Sequence, residues 1–468
     1  MSKFSVWQKT ATAAFILALI ALYATAWWPG PVTRSHADAE ILLAAQSLAH
    51  GNGFPADAHF PPLFPVVMAL FGFVSQDAHW LKLLPVLFTA GWFCALTALL
   101  RRIGASPWAA FLIAATTLAA PAVVDAGTTL SPEPLFALLV TSALVALLDG
   151  RMELAGLLAG LSAGTRMPGV ALIVAAMAIL VVGRRLKDAI RFSVAAMLVG
   201  APMVGWTLSH SSGHYAKWSI LTGLQLSEKA SVFGHNAYWV ALAPFELLSG
   251  VSSENAAVIS TIILLWSWFR RRQLMPDLVL FLYVVAVLSW SWPPQRSLVV
   301  VLPLILWIPY RAFRNMRSKE AFAAFVVLGI GLPVGCSLYR IPKMLLPDPA
   351  EPLYAWIRQN TPARALVMAN LDANMTVRTG RAAIRGIDPN GYDLWYAPRP
   401  EAAVNPALLL RAVRIQVPDY VAITPDDDLP ESKPWRRAVE ALERGGVLEA
   451  VPVPGLSKDC RLLRPVGR

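Results

Sequence analysis

The chain has 468 residues, of which 56% are hydrophobic and 15% charged, where soluble globular chains run at about 45–50% apolar and about 25% charged. The excess falls in long apolar blocks and excludes a soluble enzyme. Lys and Arg number 40 against 29 Asp and Glu, a net charge of +11. That charge fits nucleic-acid binding or the cationic inner loops of a membrane protein, and its distribution decides between them.

The first uncharged block, Thr10 to Trp28, follows Lys3 and Lys9. It is long, lacks a small-residue cleavage site and ends in aromatics, so it reads as an uncleaved anchor exiting on the far side of the membrane. Residues 29–78 form a first outer loop. Within it, Pro61 to Val74 is shorter than the roughly 20 residues a span needs, and reads as a helix lying in or dipping into the outer leaflet. Spans follow near 79–100, 106–124, 134–149, 153–166, 168–183, 190–209, 255–269, 278–292, 297–312 and 320–340, about eleven with the first. The segment 153–166 is Gly-rich and short, as a half-crossing helix packed against other protein would be.

With the amino terminus inside, the inner loops hold Arg101-Arg102, Arg151, Arg184-Arg185-Lys187-Arg191, Arg270-Arg271-Arg272 and Arg311-Arg314-Arg317-Lys319. The outer connections 125–133, 210–254 and 293–296 hold Lys217, Lys229 and Arg296. This asymmetry obeys the positive-inside rule, so the basic charge is topological and nucleic-acid binding loses its support. After Arg340 the chain turns polar, with short apolar runs at Ala365–Ala369, Tyr420–Ile423 and Val447–Val451 and an amphipathic stretch from Pro352 to Gln359. The expectation is a mostly α, polytopic membrane domain over 1–344 and a small α/β domain over 345–468. An odd number of spans puts the second domain outside the cell's inner membrane, in a periplasm or the extracellular space. Cys94, Cys336 and Cys460 are too scattered for a disulfide framework or a Cys-based metal site.

Ionisable groups at membrane depth or at the outer mouth are rare and usually functional. Here they are Asp38, Glu40, His59, Lys82, Asp125, Glu133, Arg166 and Arg296. All but Arg166 have an ordinary alternative. Asp38 suits a helix N-cap. Ser131-Pro132-Glu133 suits a helix start, with Ser131 as cap. Lys82 can snorkel, Arg296 can anchor at the interface, and His59 reads as a surface histidine. Arg166, ahead of Met167-Pro168-Gly169, needs a partner.

Taken in order, the motifs resemble the GT-C fold glycosyltransferases, the polytopic lipid-phosphosugar-dependent transferases related to protein mannosyltransferases and aminoarabinose transferase. The resemblance rests on Asp38-Ala39-Glu40, Gly51-Asn52-Gly53-Phe54, Pro61-Pro62-Leu63-Phe64-Pro65, Trp80-Leu81-Lys82-Leu83 and Arg101-Arg102. It continues through Leu130-Ser131-Pro132-Glu133-Pro134-Leu135-Phe136, Gly156 to Gly169, Gln295-Arg296 and Trp356-Ile357-Arg358-Gln359-Asn360-Thr361-Pro362. Two departures are Asp-Ala-Glu where many members have adjacent Asp-Glu, and Ser297 where a Tyr often follows the Arg.

The resemblance implies inverting transfer of a sugar from a polyprenyl-phosphate donor to an outer-face acceptor, which is a lipid, a glycan or a protein. It implies a carboxylate base, with Asp38 as first choice and Asp125 or Glu133 second. Lys82, Arg296 and Arg166 would stabilise the leaving phosphate, with Glu40 and His59 also substrate-binding. Membrane lipids are the other partners. No metal ligand set is assigned, and a divalent cofactor is left open. The rival readings are a lipid or solute transporter and a non-catalytic assembly subunit. A transporter would place its ionisable groups at the midplane of a repeated fold, and a subunit would lack the first-loop acid.

Overall fold

The structure is a computed structural model; it describes residues 6–27, 32–33, 35–55, 58, 60–72, 78–210, 225–251, 253–270, 273–289, 295–313, 331–344, 346, 348–387, 396, 404–428 and 432–466. The chain divides into two compact units. One comprises Met1–Val32, Ala44–Tyr215 and Phe233–Leu345, and the other Thr33–Leu43, Ala216–Val232 and Leu346–Arg468.

The first unit is helical. It begins with α1 (Val6–Trp27), continues after α2 (His36–Ala49) through α3 (Leu63–Gly72), α4 (Ala78–Leu81) and α5 (Leu83–Arg102), and then α6 (Pro107–Ala119) and α7 (Pro121–Thr128). Next come α8 (Glu133–Leu148), α9 (Met152–Thr165), α10 (Gly169–Val182) and α11 (Leu186–His210), followed by helices at Leu226–Ser249, Glu254–Arg270, Leu274–Leu288, Leu302–Phe313 and Leu332–Met344. Two stretches, Ala78–Arg102 and Leu186–His210, have the length and apolarity to cross a membrane, and two bent pairs bring that number to four. Shorter apolar helices such as α8, α10 and Met275–Leu288 occupy other expected spans. Among the described residues, two to four of the eleven expected spans are thus long and apolar enough to cross, and other expected spans coincide with shorter helices. The expected span at 320–340 lies largely outside the described residues.

Three expectations are corrected. The stretch 106–124 is not one straight helix: α6 and α7 meet at 68°. Pro121 cannot donate a backbone hydrogen bond, and Ala120 is extended, so the helix breaks there. The carbonyl of Ala119 left at the break accepts a 2.6 Å hydrogen bond from the Ser337 hydroxyl. Second, the outer connection expected over 210–254 contains the helix Leu226–Ser249, in which buried Asn236 donates to the Leu288 carbonyl at 3.1 Å. Third, Arg311 is no loop charge. It is buried, 2.7 Å from the Asp277 carboxylate, and the adjacent Gln273 accepts from Trp307 and donates to the Ile103 carbonyl.

The glycines of α9 have a packing cause. Gly156, Gly160 and Gly164 recur every four residues and so share one helix face. A Cβ at Gly156 would stand 2.2 Å from the Phe192 carbonyl oxygen, and one at Gly160 would stand 2.6 Å from that of Ala196. Such approach of α9 to α11 is open to small residues alone. It holds fixed the end of α9, where Arg166 closes the helix with its backbone N–H on the Ser162 carbonyl. Helices α5 and α8 pack through buried apolar side chains and through the Trp92 indole, which donates to the Thr141 hydroxyl at 3.0 Å. Their carboxyl ends are tied by a two-pronged contact of Arg102 on Asp149, at 2.6 and 2.7 Å.

The second unit contains a five-stranded sheet ordered β2-β1-β3-β5-β4, with β1 (Leu366–Met368), β2 (Ala382–Ile384), β3 (Tyr420–Ile423), β4 (Leu448–Ala450) and β5 (Arg461–Pro465). β1 is parallel to β2 and β3, while β5 is antiparallel to β3 and β4. Helices Glu351–Asn360, Asp372–Thr379, Pro406–Gln416 and Lys433–Arg444 accompany it. In the last of these, Trp435, Ala438, Val439 and Leu442 are buried at helical spacing. They pack with Val421, Ile423 and Leu463 of the sheet. The expected strands near 365–369, 420–423 and 447–451 and the helix near 352–359 are present. Strands β2, only three residues long, and β5, which carries Arg461 and Arg464, are additions to that expectation.

Candidate active site

The centre of the first unit's ionisable cluster is Glu133, 1% exposed at the start of α8. Arg296 approaches it with Nε 2.5 Å from Oε1 and Nη2 3.2 Å from Oε2. Arg166 donates from Nη1 to Oε1, and the Ser131 hydroxyl donates to Oε2. Arg296 Nη2 also lies 3.3 Å from Ser131 Oγ. Ser131 thus spends its hydroxyl on the carboxylate instead of capping α8, whose first turn carries no side-chain cap. The expected capping role is not the one seen.

This enclosed carboxylate carries two guanidinium groups, which offset its charge. What it does is fix two long cationic side chains that would otherwise sample many rotamers. Counted as formal charges, one carboxylate and two guanidinium groups leave the cluster positive. Arg166 and Arg296 are about a quarter and a third exposed, at 24% and 37%, so both retain surface for an anionic ligand. Tyr283 supports the arrangement by donating its hydroxyl to the Ser297 carbonyl, next to Arg296, at 2.7 Å. Sequence reasoning did not find Ser131 as a partner, nor Tyr283. Ser131 lies inside the Leu130–Phe136 motif, whereas Tyr283 lies in an apolar helix with no local signal.

Lys82 sits in the break between α4 and α5, is fully buried, and donates its Nζ to the Trp27 carbonyl at the end of α1. A cation at a helix carboxyl end meets its unpaired carbonyls and the negative end of its dipole. Trp27 also faces the rings of His79 and Trp80, at 5.7 and 5.9 Å. Snorkelling is therefore not what Lys82 does. Asp125 lies half-buried on α7, and its backbone carbonyl accepts the Thr129 hydroxyl at 2.9 Å.

Asp38 and Glu40 belong to the second unit. The helix they occupy begins at His36, so Ser35 is the cap and Asp38 the third helical residue. The two are reciprocal: Ser35 N–H donates to Asp38 Oδ2 at 3.1 Å and Asp38 N–H to Ser35 Oγ at 3.2 Å. This is a capping box, so the expectation that Asp38 is itself the N-cap is corrected by three positions. Asp38 is 2% exposed. Glu40 is paired with His36 at 2.9 Å, and the same His36 nitrogen lies 3.4 Å from Asp372, which in turn is 3.7 Å from Arg385. Burial raises the Asp372 carboxyl above its usual range, with Arg385 and His36 opposing. His59 lies outside the described residues. Among the described residues, no group of three His, Cys, Asp or Glu side chains is placed to hold a metal ion.

No family model matches the sequence, and no curated protein matches it. Solved structures do. ArnT from Cupriavidus metallidurans bound to undecaprenyl phosphate superposes with a TM-score of 0.62 at 14% identity, over 97% of this chain and 98% of that one. The same protein in the apo state gives 0.62 at 13%, with the same coverage. An oligosaccharyltransferase from Archaeoglobus fulgidus, tethered to an acceptor peptide containing the NVT sequon, gives 0.56 at 14%, over 96% of this chain and 73% of that one. This chain has the GT-C fold. Both parts expected of that fold are present, a polytopic helical membrane domain and a small carboxyl-terminal sheet. Within the GT-C helical domain, the Glu133, Arg166 and Arg296 cluster joins the starts or ends of segments far apart in sequence.

Proposed function

We propose that this chain is a membrane glycosyltransferase, transferring a sugar with inversion from a polyprenyl-phosphate donor to a lipid, glycan or protein acceptor. The observation that carries the reading is the pair of guanidinium groups held on one buried carboxylate, in a fold shared with an ArnT bound to undecaprenyl phosphate. In the proposed reaction an acceptor hydroxyl oxygen attacks the anomeric carbon from the side opposite the phosphate. The bond from that carbon to the phosphate oxygen breaks, its electron pair leaves with the lipid phosphate, and the hydroxyl proton passes to a carboxylate.

The roles follow from chemistry. Asp38 is the proposed base, with Asp125 as second candidate. Arg166 and Arg296 stabilise the charge that grows on the phosphate, and Lys82 adds a fixed cation at the end of α1. Glu133, enclosed by its arginines, is the counter-ion that aims them. Glu40 and His59 stay proposed substrate contacts. The proposed setting is the inner membrane, with the amino terminus in the cytoplasm and residues 345–468 outside. The full chain in lipid nanodiscs, offered polyprenyl-phosphate-linked hexose, pentose or uronic acid, should release free polyprenyl phosphate with at least one of them. Lipid and glycan mass spectrometry of a deletion strain should show the matching sugar missing. A strain with an unchanged envelope, together with no donor turnover, would sink the reading. Reporters fused after Arg272 and after Arg340 should show opposite sidedness, and equal sidedness would overturn the orientation.

A further inference from the structure

At the opposite end of the helical unit from Glu133 lies a cleft of about 540 Å³ between α1, α5 and α6. Its volume is within the roughly 300–1,000 Å³ range of ligand pockets. The α1 wall is Thr12, Ala13 and Ile16, the floor is Phe111, and Thr97 and Arg101 come from α5. The floor is rigid: the Phe111 ring meets Phe15 and Phe93 edge-on at 5.9 Å each and stacks on Trp108 at 5.7 Å. Thr97 donates its hydroxyl to the Phe93 carbonyl at 2.9 Å, within its own helix, so it brings no unmet donor to the cleft.

The two arginines closing α5 differ sharply. Arg102 is engaged by both oxygens of Asp149. Arg101 is exposed and lines the cleft, and no ion pair or hydrogen bond of its side chain is seen among the described residues. An apolar trough leading to one unengaged guanidinium has the shape and charge of a phospholipid, acyl chain along the aromatic floor and phosphate at the arginine. Amphipathic matching of this kind distinguishes a bound lipid from bulk chains, which need no cation at one end.

We infer that the cleft between α1, α5 and α6 holds one anionic phospholipid of the leaflet on the Arg101 side, with its phosphate on Arg101. The site lies apart from the proposed transfer chemistry and does not depend on it. The test is native mass spectrometry of the full chain extracted from nanodiscs of equal phosphatidylglycerol and phosphatidylcholine. Wild type should keep one phosphatidylglycerol through mild activation. Arg101→Gln should lower its retention about tenfold or more, as should Ala13→Trp, which fills the trough and leaves the arginine in place. Arg184→Gln, an exposed arginine away from the cleft, should retain the lipid as wild type does. Equal retention in wild type, Arg101→Gln and Ala13→Trp would overturn the inference. So would an equal fall in Arg184→Gln, because the lipid would then be held by general surface charge.

Discussion

Arg296 sets its Nε 2.5 Å from the carboxylate of Glu133, a residue 163 positions earlier, so one buried acid governs where that cation points. Removing the acid leaves two guanidinium groups facing each other without compensation. Glu133→Gln should destabilise the chain by about 3 kcal/mol or more, the range seen when one member of a buried pair is lost. Thermal melting of the detergent-purified protein would measure this. Arg296→Met should be milder for folding, since Glu133 keeps Arg166 and Ser131, yet should weaken donor use about tenfold to a hundredfold. Donor affinity unchanged in both Arg296→Met and Arg166→Met would remove the arginines from phosphate binding.

Asp38 separates chemistry from capping. An Asn side-chain oxygen can accept the same Ser35 N–H, so Asp38→Asn should leave α2 and the melting temperature near wild type. Asn takes no proton, and loss of a general base typically costs about a hundredfold to ten-thousandfold in rate. Asp38→Ala should in addition lose about 1 kcal/mol of helix stability. Sugar transfer by Asp38→Asn at near wild-type rate would leave Asp38 as a capping residue and move the base to Asp125.

Two glycines make a matched pair for the helix packing. Gly160→Ala puts a methyl group 2.6 Å from the Ala196 carbonyl oxygen, while Gly205→Ala on α11 meets nothing within 4 Å. Overpacking of this kind costs about 1–3 kcal/mol, whereas a tolerated Gly→Ala in a helix gains up to about 1 kcal/mol. The first should lower the melting temperature and impair transfer by shifting Arg166; the second should do neither. Equal melting temperatures would show that α9 and α11 can part without consequence.

How far the sequence carried is visible in these same residues. The apolar blocks and their basic flanks located the helices, because lipid and the positive-inside rule act on composition alone. The glycines of α9 were visible too, but their partner helix was not. Helix Leu226–Ser249 is not legible as one because Glu228, Lys229, His235 and Asn236 give it the polarity of a loop, and Asn236 is satisfied by a carbonyl 52 residues away. The site's ionisable groups were each legible as unusual. Their pairing was not, since Glu133 finds partners 33 and 163 residues along the chain. At Asp38 the cap lies one turn earlier than expected for a simpler reason: Ser and Asp are both good caps, and the fold selects between them.

In the second unit, burial pushes the Asp427 carboxyl up to about 6, against hydrogen bonds from Thr424 and Asn370 and the charge of Arg436. An unfolded Asp titrates near 3.9. Between those values the folded chain holds a proton that the unfolded chain has lost, so folding weakens as pH rises from about 4 to about 6 and levels off above. The effect amounts to about 3 kcal/mol at most. Asp427→Asn is neutral throughout. Hydrogen exchange over residues 420–428, corrected for intrinsic rates, should lose protection from pH 4 to 6 in wild type and stay flatter in Asp427→Asn. Identical profiles would rule out Asp427 as the titrating group.

The carbonyl at the break between α6 and α7 accepts its hydrogen bond from Ser337, 218 residues later in the chain. At a synthesis rate of about 5–20 residues per second, that donor emerges roughly ten to forty seconds after its acceptor. Until then the Ala119 carbonyl lacks this donor, and an unmet carbonyl inside a lipid bilayer is costly. The helix Leu332–Met344 therefore completes the bend only once it has been synthesised. A chain cut short before it would insert its early helices and leave the bend beside Asp125 unfinished, open to quality-control proteolysis at a point far from the truncation.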